Sequence, residues 1–252
     1  MSDVSFPPLP DGLPPGRVVT PIPNHGGGPP DREVLWVSDE KVPGLGEPWR
    51  RLYEQRAETG LYPLLLEGLR SDERRPWHDG ELEHKPVEAV DALDPFEVLR
   101  KLRQSDESVP PLDALAEPGR AKVDPDEHVC AVAEAMAARR SWFLGLVPAS
   151  RGADALAVAG WQGTTNLTGN VAQIAAVVRS WEDRFGARVV AVGFDTLELA
   201  VAAPPTTPEH ARAVAVEHFA FCPDNIWQGY PDFDLYVSEA VSDREHWFFW
   251  WD

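Results

Sequence analysis

Between Asn170 and Gly186 the chain carries one unbroken helical pattern, with Val171, Ile174, Ala175, Val178, Trp181 and Phe185 at i, i+3, i+4, i+7, i+10 and i+14. That spacing puts the apolar side chains on one stripe, so a helix here must bury the stripe against a second layer of structure. Asn170 and Gln173 form a capping pair at its start, and Gly186 ends it. A hairpin follows, with strands Arg188 to Gly193 and Leu197 to Val201 around the turn Phe194-Asp195-Thr196. Leu197, Leu199 and Val201 alternate with Glu198 and Ala200, which makes one face of the second strand core.

The rest of the C-terminal half reads in the same way. Asp126 to Arg139 is an alanine-rich helix, and Trp142 to Val147 and Asp154 to Trp161 read as strands joined by a turn at Arg151-Gly152. Thr207-Pro208 opens another helix and Pro223 closes it. Trp247 to Trp251 has the length of a strand. The order β-β-α-β-β-α-β predicts an α+β fold over residues 121–252, an antiparallel or mixed sheet covered by two helices. No Gly-x-Gly-x-x-Gly or phosphate loop follows a strand, which argues against a doubly wound nucleotide binder.

Upstream, residues 1–30 are dense in proline and glycine and read as an extended arm. Residues 31–120 read as a smaller β-α-β region. Its strand Glu33 to Ser38 leads to a helix over Glu47 to Thr59 capped by Gly60, then to a buried strand Leu61 to Leu66. A helix over Asp94 to Gln104 is expected next. Pro110, Pro111 and Pro118-Gly119 place a boundary near residue 120.

Charge narrows the partners. The net charge is -18 and no lysine follows Lys122. Nucleic-acid binding draws on clustered Lys and Arg, so nucleic acid is a poor partner and a basic protein a better one; an ordinary solvated surface fits the same charge. Cys130 and Cys222 lie far apart without companion Cys or His residues, which predicts no disulfide framework and no metal site, and no cofactor motif is present. No apolar run reaches the roughly 18 residues of a membrane span, and Asp243, Glu245 and Asp252 disfavour a membrane surface, so a cytoplasmic protein is expected.

The densest chemistry is Glu217-His218-Phe219-Ala220-Phe221-Cys222-Pro223-Asp224-Asn225. Glu217, His218, Cys222 and Asp224 are the candidate catalytic residues, yet His218 and Cys222 share a helical stripe with Ala211, Val214, Ala215 and Phe219 and should point to the core. The two readings are a hydrolase centre and a buried imidazole and thiol. Asp224 and Asn225 either cap the turn after Pro223 or contact a substrate or partner. Gln162 and Asn166, in the loop before the strong helix, are candidate binding residues beside a capping role. His78, in the polar loop around Trp77, is expected to be more accessible than His218. Five consecutive aromatics cannot all face one side of a strand, so the tail is either covered on both faces as a central strand or offers rings to a partner, with Trp250, Trp251 and Asp252 as candidates. The Trp161 loop, the Cys222 turn and the tail are all ends of elements and are expected to meet.

With those residues in view, the chain resembles an uncharacterised bacterial family, the domain of unknown function numbered four-two-five-three, in its actinobacterial long form. The resemblance rests on Trp161-Gln162-Gly163, Ser180 to Gly186, Glu217 to Asn225 and Trp250-Trp251-Asp252, with upstream support from Leu9 to Gly16, Val34 to Asp39 and Gly60 to Leu66. It implies a domain over about the last 110 residues and no activity. Two functions fit these features: a non-catalytic interaction protein of the immunity or antitoxin type that occupies a basic target, and a hydrolase with Gln162 lining its pocket.

Overall fold

The computed structural model describes residues 6–22 and 32–252. Its elements in chain order are β1 (Gly16–Val19), β2 (Leu35–Ser38), α1 (Gly46–Glu54), α2 (Arg56–Thr59), β3 (Leu61–Leu66), α3 (Val87–Asp91) and α4 (Pro95–Leu102). Then come α5 (Pro125–Arg139), β4 (Phe143–Pro148), α6 (Gly152–Ala159), α7 (Val171–Phe185), β5 (Ala187–Val192) and β6 (Thr196–Val201). The chain closes with α8 (Pro208–Phe221), α9 (Asp224–Trp227), α10 (Phe233–Tyr236), a π-helical turn over Val237–Val241 and β7 (His246–Trp250).

The fold is α+β, built on a seven-stranded mixed sheet of order β1-β2-β4-β3-β5-β6-β7. Neighbours are antiparallel except β3 and β5, which run parallel with Leu65 opposite Ala191. Strands from both sides of residue 120 interleave, because β3 lies between β4 and β5 and β2 flanks β4. The expected β-α-β start therefore does not pair its own two strands. β4 separates them, satisfying six positions of β3 from Leu61 opposite Pro148 to Leu66 opposite Phe143.

Helices cover both faces, more than the two expected. On one face α7 and α8 pack over Trp247 and Phe249, which stand opposite Leu199 and Leu197 on β6, with Trp181 of α7 stacked on Phe249 at 5.4 Å between ring centroids. On the other, α1 and α5 pack over β3, β5 and β6. Double coverage explains why β3, β4 and β5 read as near-continuous apolar runs. Gly186 ends α7 in the left-handed conformation at φ 57°, where a side chain would be strained.

Four expectations need correction. The strand expected over Asp154 to Trp161 is replaced by helix α6, which runs to Ala159: all its residues are buried, so it shows no polar stripe, and its alanine-rich run looks like a buried strand. Part of the N-terminal arm is a strand, since β1 pairs with β2 along the sheet's edge; the glycines and prolines from Gly26 to Pro30 lie outside the described residues. Gln173 does not close a box with Asn170. Asn170 accepts from Ala172 N, while Gln173 Oε1 accepts from the Thr168 hydroxyl. Finally, β7 is an edge strand and not a central one.

Candidate functional site

Helix α8 delivers Glu217 and His218 into the interior because Thr207 caps its start and its Ala211, Val214 and Ala215 stripe packs inward. Glu217 is fully buried, and its carboxylate accepts from Trp181 Nε1 at 2.8 Å, from Ala116 N at 2.6 Å and from both ends of the Arg184 guanidinium at 2.8 and 2.7 Å. Every acceptor direction is occupied by a fixed donor, which suits a structural joint and leaves nothing for a substrate. Arg184 is thereby committed to Glu217 and to Ala116 O, and does not meet Asp252.

His218 is sealed among the Trp181, Trp247 and Phe249 rings, with Nδ1 2.9 Å from the Tyr236 hydroxyl and Nε2 without a partner among the described residues. Burial, with Arg184 nearby, lowers its pKa to about 3, so the imidazole is neutral at pH 7. Cys222 is equally enclosed, and burial pushes its thiol up to about 12. A nucleophilic cysteine requires the opposite shift. Its Sγ–H donates to Trp250 O at 2.9 Å.

The turn after Pro223 grips the end of the chain. Asn225 Nδ2 donates to Phe248 O at 2.7 Å while its Oδ1 accepts from Trp250 N at 3.0 Å, and Asp224 Oδ2 accepts from Asp252 N at 3.2 Å. Cys222, Asp224 and Asn225 thus act together on the backbone of the C-terminal strand.

The Trp161 loop, the Cys222 turn and the tail do meet, as packing. Trp161 donates to Gly193 O at 2.8 Å and sits edge-on to Trp251 at 5.5 Å, and Trp251 Nε1 donates to Phe221 O at 3.3 Å. Trp251 is core. Gln162 folds back on Gly160 O and Trp161 O, both at 3.4 Å, and Asn166 is exposed in the loop beyond. His78 is half-buried, its Nε2 2.9 Å from Ser38 O and its pKa lowered by burial.

Open concave surface lies instead on the other face of β7. Trp247 and Phe249 point to α7, so His246, Phe248 and Trp250 point away from it, toward a hollow that α5 borders with His128 and Val132. Phe248 is 49% exposed. Two hollows meet along these rings. One, of about 740 Å³, runs along the sheet edge between His128 and Val132 of α5 and the segment carrying Tyr230, Tyr236, Glu239, Ala240 and Asp243. The other, of about 460 Å³, lies on the sheet face between Lys41, Glu67, Arg70 and Arg140 and the β5–β6 turn. Phe248 and Trp250 line both.

The charges around the rings are mixed, with an acidic excess. Glu198 stands opposite Phe248 on β6, and His246 Nε2 lies 3.0 Å from its Oε2. Lys41 is paired with Glu73 at 2.6 Å, Arg140 with Glu67 and Lys122 with Asp243. Among the described residues Glu239, Glu245 and Arg244 of the first hollow and Arg70 of the second make no ion pair. Burial raises the pKa of Asp195 at the turn. Among the described residues no group of three His, Cys, Asp or Glu side chains is arranged to hold a metal ion. Trp250 was legible as a candidate here; His246 and Phe248 were not, although the alternation of the tail was their signal, nor were Glu198 and Glu239, which lie outside the tail.

The segment that contains this strand, the Cys222–Asn225 grip and the Trp161 loop begins at β4. Residues 143–252 match the family model of a domain of unknown function, DUF4253. The DUF4253 segment includes β4 to β7 but not β3, which fills the gap between β4 and β5. No curated protein and no solved structure matches the chain. No helix among the described residues is long and apolar enough to cross a membrane.

Proposed function

We propose that the protein is a non-catalytic interaction module that holds a basic segment of a partner protein over Phe248 and Trp250, as immunity or antitoxin-type proteins occupy a basic target. The observation that carries this reading is the half-exposed Phe248 ring beside Trp250, on a sheet face left open between two hollows and flanked by Glu198, Glu239 and Glu245. Ring faces and carboxylates together recognise arginine and lysine, through cation–π contact and ion pairing. The chain's net charge of -18 adds long-range attraction for a basic partner.

A binding role also accounts better than a catalytic one for the Glu217–Asn225 segment. Its imidazole is neutral and enclosed, its thiol is held protonated, and its polar groups are spent on Arg184 and on the backbone of β7.

The test is binding of blocked arginine-rich and glutamate-rich peptides to the full chain at low and high salt, followed by tryptophan fluorescence and calorimetry. The arginine-rich peptide is expected to bind at low salt, to weaken at least tenfold in high salt and to be lost in a Phe248→Ala, Trp250→Ala double variant that remains folded. Equal binding of both peptides, or undiminished binding to the double variant, would overturn the proposal.

A further inference from the structure

β7 ends the sheet, and its outer edge is satisfied along only part of its length. Successive residues of a strand turn their backbone groups to opposite edges. Val201 N donates to Glu245 O, and Trp251 N donates to Asp195 O, so the odd-numbered residues of this strand face β6. His246, Phe248 and Trp250 therefore turn their N–H and C=O groups outward.

Toward the C-terminus that edge is closed. The Asn225 carboxamide, donating to Phe248 O and accepting from Trp250 N, stands where a peptide group of a neighbouring strand would stand, and the Cys222 thiol takes Trp250 O. One step toward the N-terminus the substitution stops. Phe248 N and His246 O have no partner among the described residues, and both belong to residues lining the 740 Å³ edge groove. An exposed strand edge is a template for another chain, and natural proteins ordinarily blunt it with lysine, proline or a covering element. Here a groove is left beside it.

We propose that the His246–Phe248 edge takes one extended segment of the basic partner as an added strand, continuing the pairing that Asn225 begins. The inference rests on the binding role proposed above and specifies its geometry. An added strand would set alternate side chains on opposite faces: one set beside Phe248 and Glu198, the other toward Tyr230 and Glu239. The charge of the walls selects the occupant. With Asp243 paired to Lys122, Glu239 and Glu245 outnumber Arg244, so the favoured segment carries Arg or Lys at alternating positions.

The probe is a blocked hexapeptide alternating arginine and valine, compared with its glutamate–valine counterpart and with two versions N-methylated on the arginine or on the valine amides. On the full chain, the arginine–valine peptide is expected to slow hydrogen exchange of the Phe248 amide at least tenfold, and one N-methylated version to bind at least tenfold more weakly. If both N-methylated versions bind as well as the parent and the Phe248 amide stays unprotected, strand addition is overturned while the binding role stands. If the arginine–valine peptide does not bind, or binds no better than the glutamate–valine one, both are overturned.

Discussion

Asn225 takes the part of a missing strand beside Phe248, donating to its carbonyl at 2.7 Å while accepting from Trp250 N at 3.0 Å. Asn225→Ala leaves two backbone groups of β7 without partners, and at about 1 kcal/mol for each lost hydrogen bond the expected destabilisation is about 2 kcal/mol. Asn225→Asp keeps the acceptor but sets a carboxylate against Phe248 O, so it should cost more at pH 7 than Asn225→Ala. Urea unfolding, with faster exchange of the Trp250 amide in both variants, checks the assignment.

The Glu217–Arg184 pair joins α8 to α7 in a site where the carboxylate is fully buried. Removing one partner strands the other charge, so Glu217→Gln and Arg184→Leu are each expected to cost about 3 kcal/mol or more. The double variant Glu217→Leu, Arg184→Leu should cost less than the sum of the two single Leu variants, because no charge is left behind. A double-mutant cycle by denaturant titration reads the difference.

His218 gives a pH dependence of definite sign. Its folded pKa, about 3, lies below the ordinary 6.5, so the unfolded chain binds the proton more tightly. The contribution of neutral His218 is intact above about pH 6.5 and is lost as pH falls toward 3, at about 1.4 kcal/mol per pH unit between the two values. His84 and His78, also lowered by burial, act in the same direction. Glu182 acts oppositely, since burial raises its carboxyl. Unfolding free energies at pH 7, 6 and 5 should fall progressively, and less steeply in His218→Phe.

Thiol chemistry separates the two functional readings that the sequence left open. Both cysteines are buried, with Cys130 pushed up to about 11 and Cys222 to about 12. Iodoacetamide at pH 8 is expected to label neither in the native chain and both after denaturation, by mass spectrometry. Rapid native labelling of Cys222 would restore the hydrolase reading.

Legibility in the sequence followed contrast between neighbours. Helix α7 was readable because Val171, Ile174, Val178 and Trp181 stand out against Arg179, Asp183 and Arg184; α6 was not, because burial on every side erases the contrast that periodicity measures. The inward direction of His218 and Cys222 followed from helical spacing, a local property. The role of Asn225 did not, because its partners lie 23 and 25 residues further along the chain. The tail's alternation was visible, but whether β7 sits at the centre or the margin of the sheet depends on strand order, which no local pattern encodes.

The position of β3 also dictates a timetable for folding. Leu61–Leu66 must lie between Phe143–Pro148 and Ala187–Val192, two strands that leave the ribosome long after it. Until both arrive, this six-residue apolar run lacks at least one of its neighbours. The middle of the sheet closes late, and closure over so long a stretch of chain is slow because loop entropy is lost before pairing repays it. A polypeptide stopped before Ala187 would leave the Leu65-Leu66 edge of β3 without its partner, and an open apolar edge of that kind invites aggregation.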